Sequence, residues 1–172
     1  LDPSFDMVFQ PGKPLSIPAD YKSLLHLFES IEKGSAKRLE VFLKEAQYKY
    51  EAGMKRLVYM PGLSMLEFAD ADLIRGAIRL QVFSSLSRHV RKYFKNPALI
   101  ALMEFPVLFL GAMPRHTPAL YSLMNYAALR LGTWYPMGGF GKVATSLQQI
   151  CEEQQVNFHF NSPVDKIFAS SD

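Results

Sequence analysis

The chain has 172 residues, 49% of them hydrophobic, with 19 basic against 16 acidic side chains and a single cysteine. That length suits one domain able to bury about 70% of the surface its unfolded chain exposes. One cysteine excludes a disulfide framework or a cysteine metal site and fits a reducing, cytoplasmic setting, while 13 Phe and 8 Met make an apolar surface suited to a greasy ligand as well as to an ordinary core.

In chain order, Phe5 to Phe9 alternates, Gln10-Pro11-Gly12-Lys13 is a turn signal, and Leu15-Ser16-Ile17 returns. This predicts a β-hairpin over 5–17 and a small antiparallel sheet. Asp20 is placed to cap a helix with Tyr21, Leu24, Leu25, Phe28 and Ile31 on one face. Gly34-Ser35 separates it from a longer helix carrying Leu39, Phe42, Leu43, Ala46 and Tyr50, which Pro61-Gly62 breaks. A further helical stretch is predicted from about Asp70 to Phe94, with Leu73, Ala77, Leu80, Leu86, Val90 and Phe94 as its apolar positions and a bend at Ser84-Ser85.

The longest apolar run, Ala98 to Met113, contains Glu104 and Pro106 and is shorter than the roughly 20 residues that cross a bilayer. Asn96 caps it and Pro97 suits its first turn, so a buried helix is expected there, broken around Pro106. The stretch Gly132 to Lys142, reading GTWYPMGGFGK, puts glycines at 138, 139 and 141 ahead of a helix over 142–154. Without Cβ atoms the backbone there tolerates positive φ and close approach by a flat ligand, or simply makes a tight turn. The helix carries Val143, Leu147, Ile150 and Cys151 at roughly three-to-four spacing, with Cys151 expected on its buried side. Val156 to Phe160 then alternates as a strand, and Asn161-Ser162-Pro163 turns into Val164 to Ile167.

Few catalytic constellations are present. His26, His89, His116 and His159 lack metal-ligand spacing, so no metal site is expected. Gly62-Leu63-Ser64-Met65 lacks the second glycine of a nucleophile elbow, and the pairs Asp70/Asp72 and Glu152/Glu153 suit exposed helix ends. No residue is assigned a catalytic role. Basic residues gather at Arg88, Arg91 and Lys92, next to Tyr93 and Phe94. This pattern suits either an anionic membrane surface or a solvated helix face. Nothing in it provides a stacking platform or recognition motif for nucleic acid.

The order WYP-x-GG, helix, short strand, N-x-P-V-x-x-I over 134–167 resembles the passage from substrate domain to flavin domain in bacterial-type phytoene desaturases and related carotenoid desaturases. Asn96-Pro97, Phe109-Leu110-Gly111 and Pro118-Ala119-Leu120-Tyr121 extend the resemblance upstream. It implies an α+β, mostly helical substrate-binding domain with a small antiparallel sheet, whose terminal strands would join a flavin-binding domain. The expected division is 1–135, with the hairpin and helices over 20–130, and 136–172, returning to that flavin domain.

By the same resemblance, Tyr135, Pro136, Gly138 and Gly139 contact FAD, and Phe105, Leu108, Phe109 and Trp134 line the channel of a carotenoid or other hydrophobic polyene. Arg88, Arg91 and Lys92 would meet the membrane surface of a peripherally attached cytoplasmic enzyme. The family's strand, glycine-rich turn and helix for the flavin pyrophosphate have no counterpart here, since the glycines at 138, 139 and 141 follow a Trp-Tyr-Pro loop. The chain, which starts at Leu1, is therefore expected to be an internal piece, without bound FAD or activity of its own. A carotenoid isomerase, a retinol saturase-like enzyme, an amine oxidase, a protoporphyrinogen oxidase and a stand-alone helical lipid-binding module remain open.

Overall fold

The computed structural model describes residues 1–9, 12, 14–55 and 80–169. The turn residues Gln10, Pro11 and Lys13, the Pro61-Gly62 break, Gly62-Leu63-Ser64-Met65, the Asp70/Asp72 pair, Leu73 and Ala77 lie outside the described residues. The chain divides into two compact units, Leu1–Thr133 and Trp134–Asp172.

The first unit opens with the expected hairpin: β1 (Phe5–Met7) pairs antiparallel with β2 (Leu15–Ile17), Phe5 opposite Ile17 and Met7 opposite Leu15. Helix α1 (Tyr21–Ile31) starts where Asp20 Oδ2 accepts hydrogen bonds from the backbone N–H and the hydroxyl of Ser23, both at 2.8 Å. These satisfy donors that a helix start leaves orphaned. The Glu29 carboxylate accepts from the N–H groups of Gly34 and Ala36, at 2.7 and 3.2 Å, and so ties α1 to the start of α2 (Ser35–Lys55). Gly34 makes the turn at φ +77°, a conformation that costs a residue with a Cβ.

Leu24 and Phe28 of α1 and Leu39, Phe42, Leu43 and Ala46 of α2 are buried at the three-to-four spacing of one helix face. Helix α3 (Leu86–Tyr93) and helix α4 (Pro97–Glu104) close over them with Leu86, Val90, Leu99 and Met103. The rings of Phe28 and Phe42 meet Phe94 at centroid distances of 5.6 and 6.0 Å, and Tyr93 stands edge-on to Phe42 at 5.3 Å. The Glu32 carboxylate, beyond the end of α1, accepts from the N–H groups of Lys95 and Asn96 at 2.9 and 2.8 Å and fixes the α3–α4 corner.

The helix predicted to run into Phe94 with a bend at Ser84-Ser85 is interrupted there in its described part. Leu80 to Phe83 is a turn, Gln81 sits at φ +58°, and Ser85 caps a new helix through Arg88 N–H. Ser84 and Ser85 are instead engaged by the segment before Ala119: the Ala119 N–H donates to Ser84 C=O at 2.6 Å, and Ser85 bridges Pro118. Two adjacent serines compete poorly for helix and well for caps.

Asn96 and Pro97 act as expected, with Asn96 Oδ1 accepting from Ala98 N–H at 2.9 Å. Pro106 then ends the α-helical pattern, and Phe105–Leu110 tightens into a 3₁₀ turn closed by Gly111 at φ +63°. A second 3₁₀ turn (Ala119–Ser122) leads into the short helix α5 (Leu123–Tyr126) and a π-helical turn (Ala127–Leu131) that ends at Gly132, φ +87°.

In the second unit, α6 (Phe140–Glu153) has no buried residue. Val143, Leu147 and Ile150 are exposed and Cys151 is half-buried, so the apolar face predicted to be covered is open. Val156 to Phe160 and Val164 to Ile167 form no strand ladder, because a strand exists only against a partner and none pairs with them among the described residues. The alternation survives locally in the stacked rings of Phe158 and Phe160, 5.8 Å apart.

Candidate functional site: an apolar cavity in the first unit

The first unit holds a half-open cavity of about 800 Å³ between β1, the end of α4, the first 3₁₀ turn, α5 and the π-turn. Phe5 and Met7 of the hairpin form one wall, Phe105 and Phe109 another, and Ala128 with Leu129 a third. Phe5 and Phe105 stack at 6.3 Å, and Phe109 stands edge-on to Phe105 at 5.4 Å. The lining is mainly apolar. Its buried polar member, Asn125, donates from Nδ2 to the Met103 carbonyl at 3.2 Å, which fixes the amide at the wall.

The space exists for reasons visible in the chain. A π-turn widens the helix by one residue per turn, and such turns are frequent at functional sites. This one carries Ala127 and Ala128 between bulkier neighbours, so two methyl groups stand where larger side chains would fill the volume. A ligand seated against this lining gains binding energy from buried apolar area.

Of the residues expected to line a channel, Phe105 and Phe109 border this cavity. Leu108 lies outward, 58% exposed and away from the cavity wall, because in a tight 3₁₀ turn its neighbours Val107 and Phe109 take other faces. Trp134 belongs to the second unit and is exposed. Tyr135, Pro136, Gly138 and Gly139 are also in that unit. There the Gly139 N–H donates to Pro136 C=O at 3.0 Å, both glycines have φ above +80°, and Tyr135 stands edge-on to Phe140 at 5.2 Å. The basic residues Arg88, Arg91 and Lys92 are exposed on α3, with Arg91 paired to Glu104 at 3.6 Å.

Sequence reasoning missed the hairpin's part in the wall, Asn125, and the small-residue pair Ala127-Ala128. Two adjacent alanines inside a run of Tyr, Leu and Met were the available signal. It also missed a polar cluster between α2 and α3. Lys49, on α2, is almost wholly buried and donates from Nζ to Ala119 C=O, Ser122 Oγ and Gln81 Oε1, at 3.0, 2.9 and 3.1 Å. Burial lowers its pKa to about 8, against the opposing pull of Glu45.

His89 packs on Phe42 at 5.2 Å with both ring nitrogens lacking a hydrogen-bond partner. Burial, then the Lys49 and Lys92 charges, lowers its pKa to about 3. The Glu45 carboxylate 3.5 Å from Nε2 pulls the other way and is outweighed. Tyr93 donates to Glu45 Oε1 at 2.7 Å, and burial together with that bond pushes its phenol well up. Among the described residues no group of three or more His, Cys, Asp or Glu is placed to hold a metal, and no helix is long and apolar enough to cross a membrane.

No protein-family model matches the chain. Individual proteins do. It is 32% identical over 168 residues to a carotenoid 3,4-desaturase of Haloarcula japonica, covering 97% of this chain and 34% of that protein. It is 30% identical to a phytoene desaturase of Neurospora crassa, covering 96% of this chain and 28% of that protein. A zeta-carotene-forming phytoene desaturase of Myxococcus xanthus is 24% identical, with 96% and 32% covered. This chain is a relative of the carotenoid and phytoene desaturases. It spans about a third of the length of the curated desaturases it matches. Relationship over nearly the whole chain sets its α+β, mainly helical fold among desaturase sequences rather than among unrelated helical modules.

Proposed function

We propose that this chain is the substrate-binding portion of an FAD-dependent oxidoreductase that desaturates a long polyene such as phytoene. The observation that carries the reading is the cavity: about 800 Å³ of largely apolar space, in a chain aligned nearly end to end with desaturases. Few ligands other than a hydrocarbon chain match a site of that size with so little polar lining. Phe105 and Phe109 wall the polyene, and Met7 and Leu129 hold it from the hairpin and helix sides.

FAD, when bound, supplies the hydride acceptor for an allylic carbon whose neighbour loses a proton. The loop over 135–139 fits contact with a flat ring. Gly138 and Gly139 hold positive φ, and a Cβ on Gly138 would meet Lys142 Cγ at 2.9 Å, so these residues keep the backbone bare. A pyrophosphate cradle needs a strand leading directly into the glycine turn, and the described residues 132–137 ahead of Gly138 form none. Tyr135, Pro136, Gly138 and Gly139 are therefore read as contacts to part of FAD. The isolated chain is expected to bind polyene without converting it. What these residues do is exclude water, orient the chain and hold the reacting carbons against the cofactor. Arg88, Arg91 and Lys92 serve peripheral attachment to an anionic membrane surface on the cytoplasmic side, where a water-insoluble substrate resides.

The test is retention of phytoene by the chain during gel filtration in mild detergent. Wild type is expected to carry about one polyene per chain and Ala128→Trp, which fills the cavity, to carry none while melting at an unchanged temperature. Retention unaffected by Ala128→Trp, or no retention by wild type, contradicts the reading.

A further inference from the structure

Helix α2 backs one wall of the cavity. Its Tyr50 ring meets Tyr126 of α5 at 5.5 Å, and a Cβ on Gly53 would lie 3.8 Å from Leu123 Cδ2, so the two helices pack closely. Helix α5 in turn supplies Leu123, Met124 and Asn125 to the cavity lining. Next to Tyr50, Lys49 reaches the Ala119–Ser122 turn from which α5 starts. Its Nζ donates to Ala119 C=O, Ser122 Oγ and Gln81 Oε1, and the Ser122 hydroxyl, accepting from Nζ, donates onward to Ala119 C=O at 2.8 Å.

An ammonium has three N–H donors and no acceptor, and these three bonds use all of them. A neutral amine has two, so one acceptor then goes without. Lysine is rarely fully buried, yet Lys49 is 1% exposed. An apolar side chain would fill the same space without the cost of burying a charge, so the ammonium is there for what it holds.

We propose that Lys49 is a positioning residue of the cavity: its ammonium pins the Ala119–Ser122 turn, and through it Leu123, Met124 and Asn125, in the arrangement that takes the polyene. The proposal rests on the polyene reading above and names the residue that controls it. Deprotonation removes one of the three bonds and frees the turn. Burial lowers the pKa of Lys49 to about 8, with Glu45 one turn earlier on α2 opposing the shift and Lys92 of α3 adding to it. The other titratable groups of this cluster, His89 and Tyr93 of α3, are both neutral from pH 6.5 to 9.5, and the turn and Gln81 present neutral acceptors to Nζ. Over that range the ammonium falls from about 97% to about 3% of the chains.

The test follows two signals from pH 6.5 to 9.5: retention of phytoene, which has no titratable group, during gel filtration in uncharged detergent, and the Leu123 and Met124 methyl NMR signals of the polyene-free chain. Retention is expected to fall severalfold, and both methyl signals to shift with one midpoint near pH 8, while the core methyls of Leu24 and Leu39 stay still. Lys49→Met keeps the Ala119 carbonyl bonded through Ser122, and is expected to melt no lower than wild type, retain little phytoene at every pH and show no midpoint. Ser122→Ala should weaken retention in wild type and add nothing in Lys49→Met, because both remove the same bond.

Methyl signals that do not titrate between pH 7 and 9, or a midpoint that survives in Lys49→Met, overturn the pin. Should Lys49→Met fail to fold, the wild-type titration and Ser122→Ala decide the matter. Phytoene retained equally at all pH values overturns the pin and leaves the polyene reading intact. Methyl signals that titrate as expected in a chain that never retains phytoene sustain the pin and defeat the polyene reading alone.

Discussion

Helices α2 and α6 carry the same apolar spacing and meet opposite fates. In α2, Leu39, Phe42 and Ala46 are wholly buried against α1, α3 and α4. In α6, Val143, Leu147 and Ile150 stand open to solvent, each 43% exposed or more. Periodicity states which face of a helix is apolar and leaves open what, if anything, covers it. The first unit supplies its own cover, through rings that converge from α1, α2, α3 and the α3–α4 corner. The second carries α6 and extended segments with none among the described residues.

The contrast is sharpened most by a truncation in the core. Phe42 contacts Phe94, Tyr93 and His89, so Phe42→Ala is expected to cost ~3–5 kcal/mol of unfolding free energy in a urea titration. A loss under about 1 kcal/mol would show that the core is not tightly packed.

An effect of intermediate size comes from His89. Its folded-state pKa, about 3, lies below the ordinary value of 6.5, so between those values the unfolded chain binds a proton the folded one refuses. Stability contributed by the neutral ring is complete above about pH 6.5 and is lost as the pH falls toward 3. The loss should be on the order of a few kcal/mol by pH 4. His89→Phe, which removes two unpaired ring nitrogens from the core, is expected to flatten the decline in an acid titration followed by circular dichroism. An identical decline would place the acid sensitivity elsewhere.

The smallest effect is expected in the second unit, where Leu147→Ala should change stability by about 0.5 kcal/mol or less, since its side chain is 59% exposed. A cost of several kcal/mol would mean that α6 is covered after all and would break the comparison.

Local chemistry made much of the first unit legible. The hairpin partners, Asp20, Asn96 with Pro97, and the break at Pro106 each act through atoms within a few residues along the chain, and each appears where the sequence puts it. Features set by distant partners were not legible. Ser84 and Ser85 read as a bend within a helix because the segment before Ala119, which captures them, lies more than thirty residues on. The alternation of Val156 to Phe160 specifies two faces of a strand but cannot supply the neighbouring strand.

The cavity was half legible. Phe105 and Phe109, which border it, were named through the family resemblance, whereas the space they face depends on a π-turn and two alanines, and helical periodicity carries no signal for a turn one residue wider. Leu108 shows the same limit, because a 3₁₀ turn redistributes side chains that an α-helical reading would place on one face.

The most direct measurement is a methyl NMR titration of the chain with phytoene in detergent micelles. Shifts are predicted at Met7, Leu102, Met124 and Leu129 around the cavity, with Val143, Leu147 and Ile150 of α6 unmoved relative to micelles alone. Shifts confined to α6, with the cavity methyls silent, would contradict the assignment of the first unit's cavity as the polyene site.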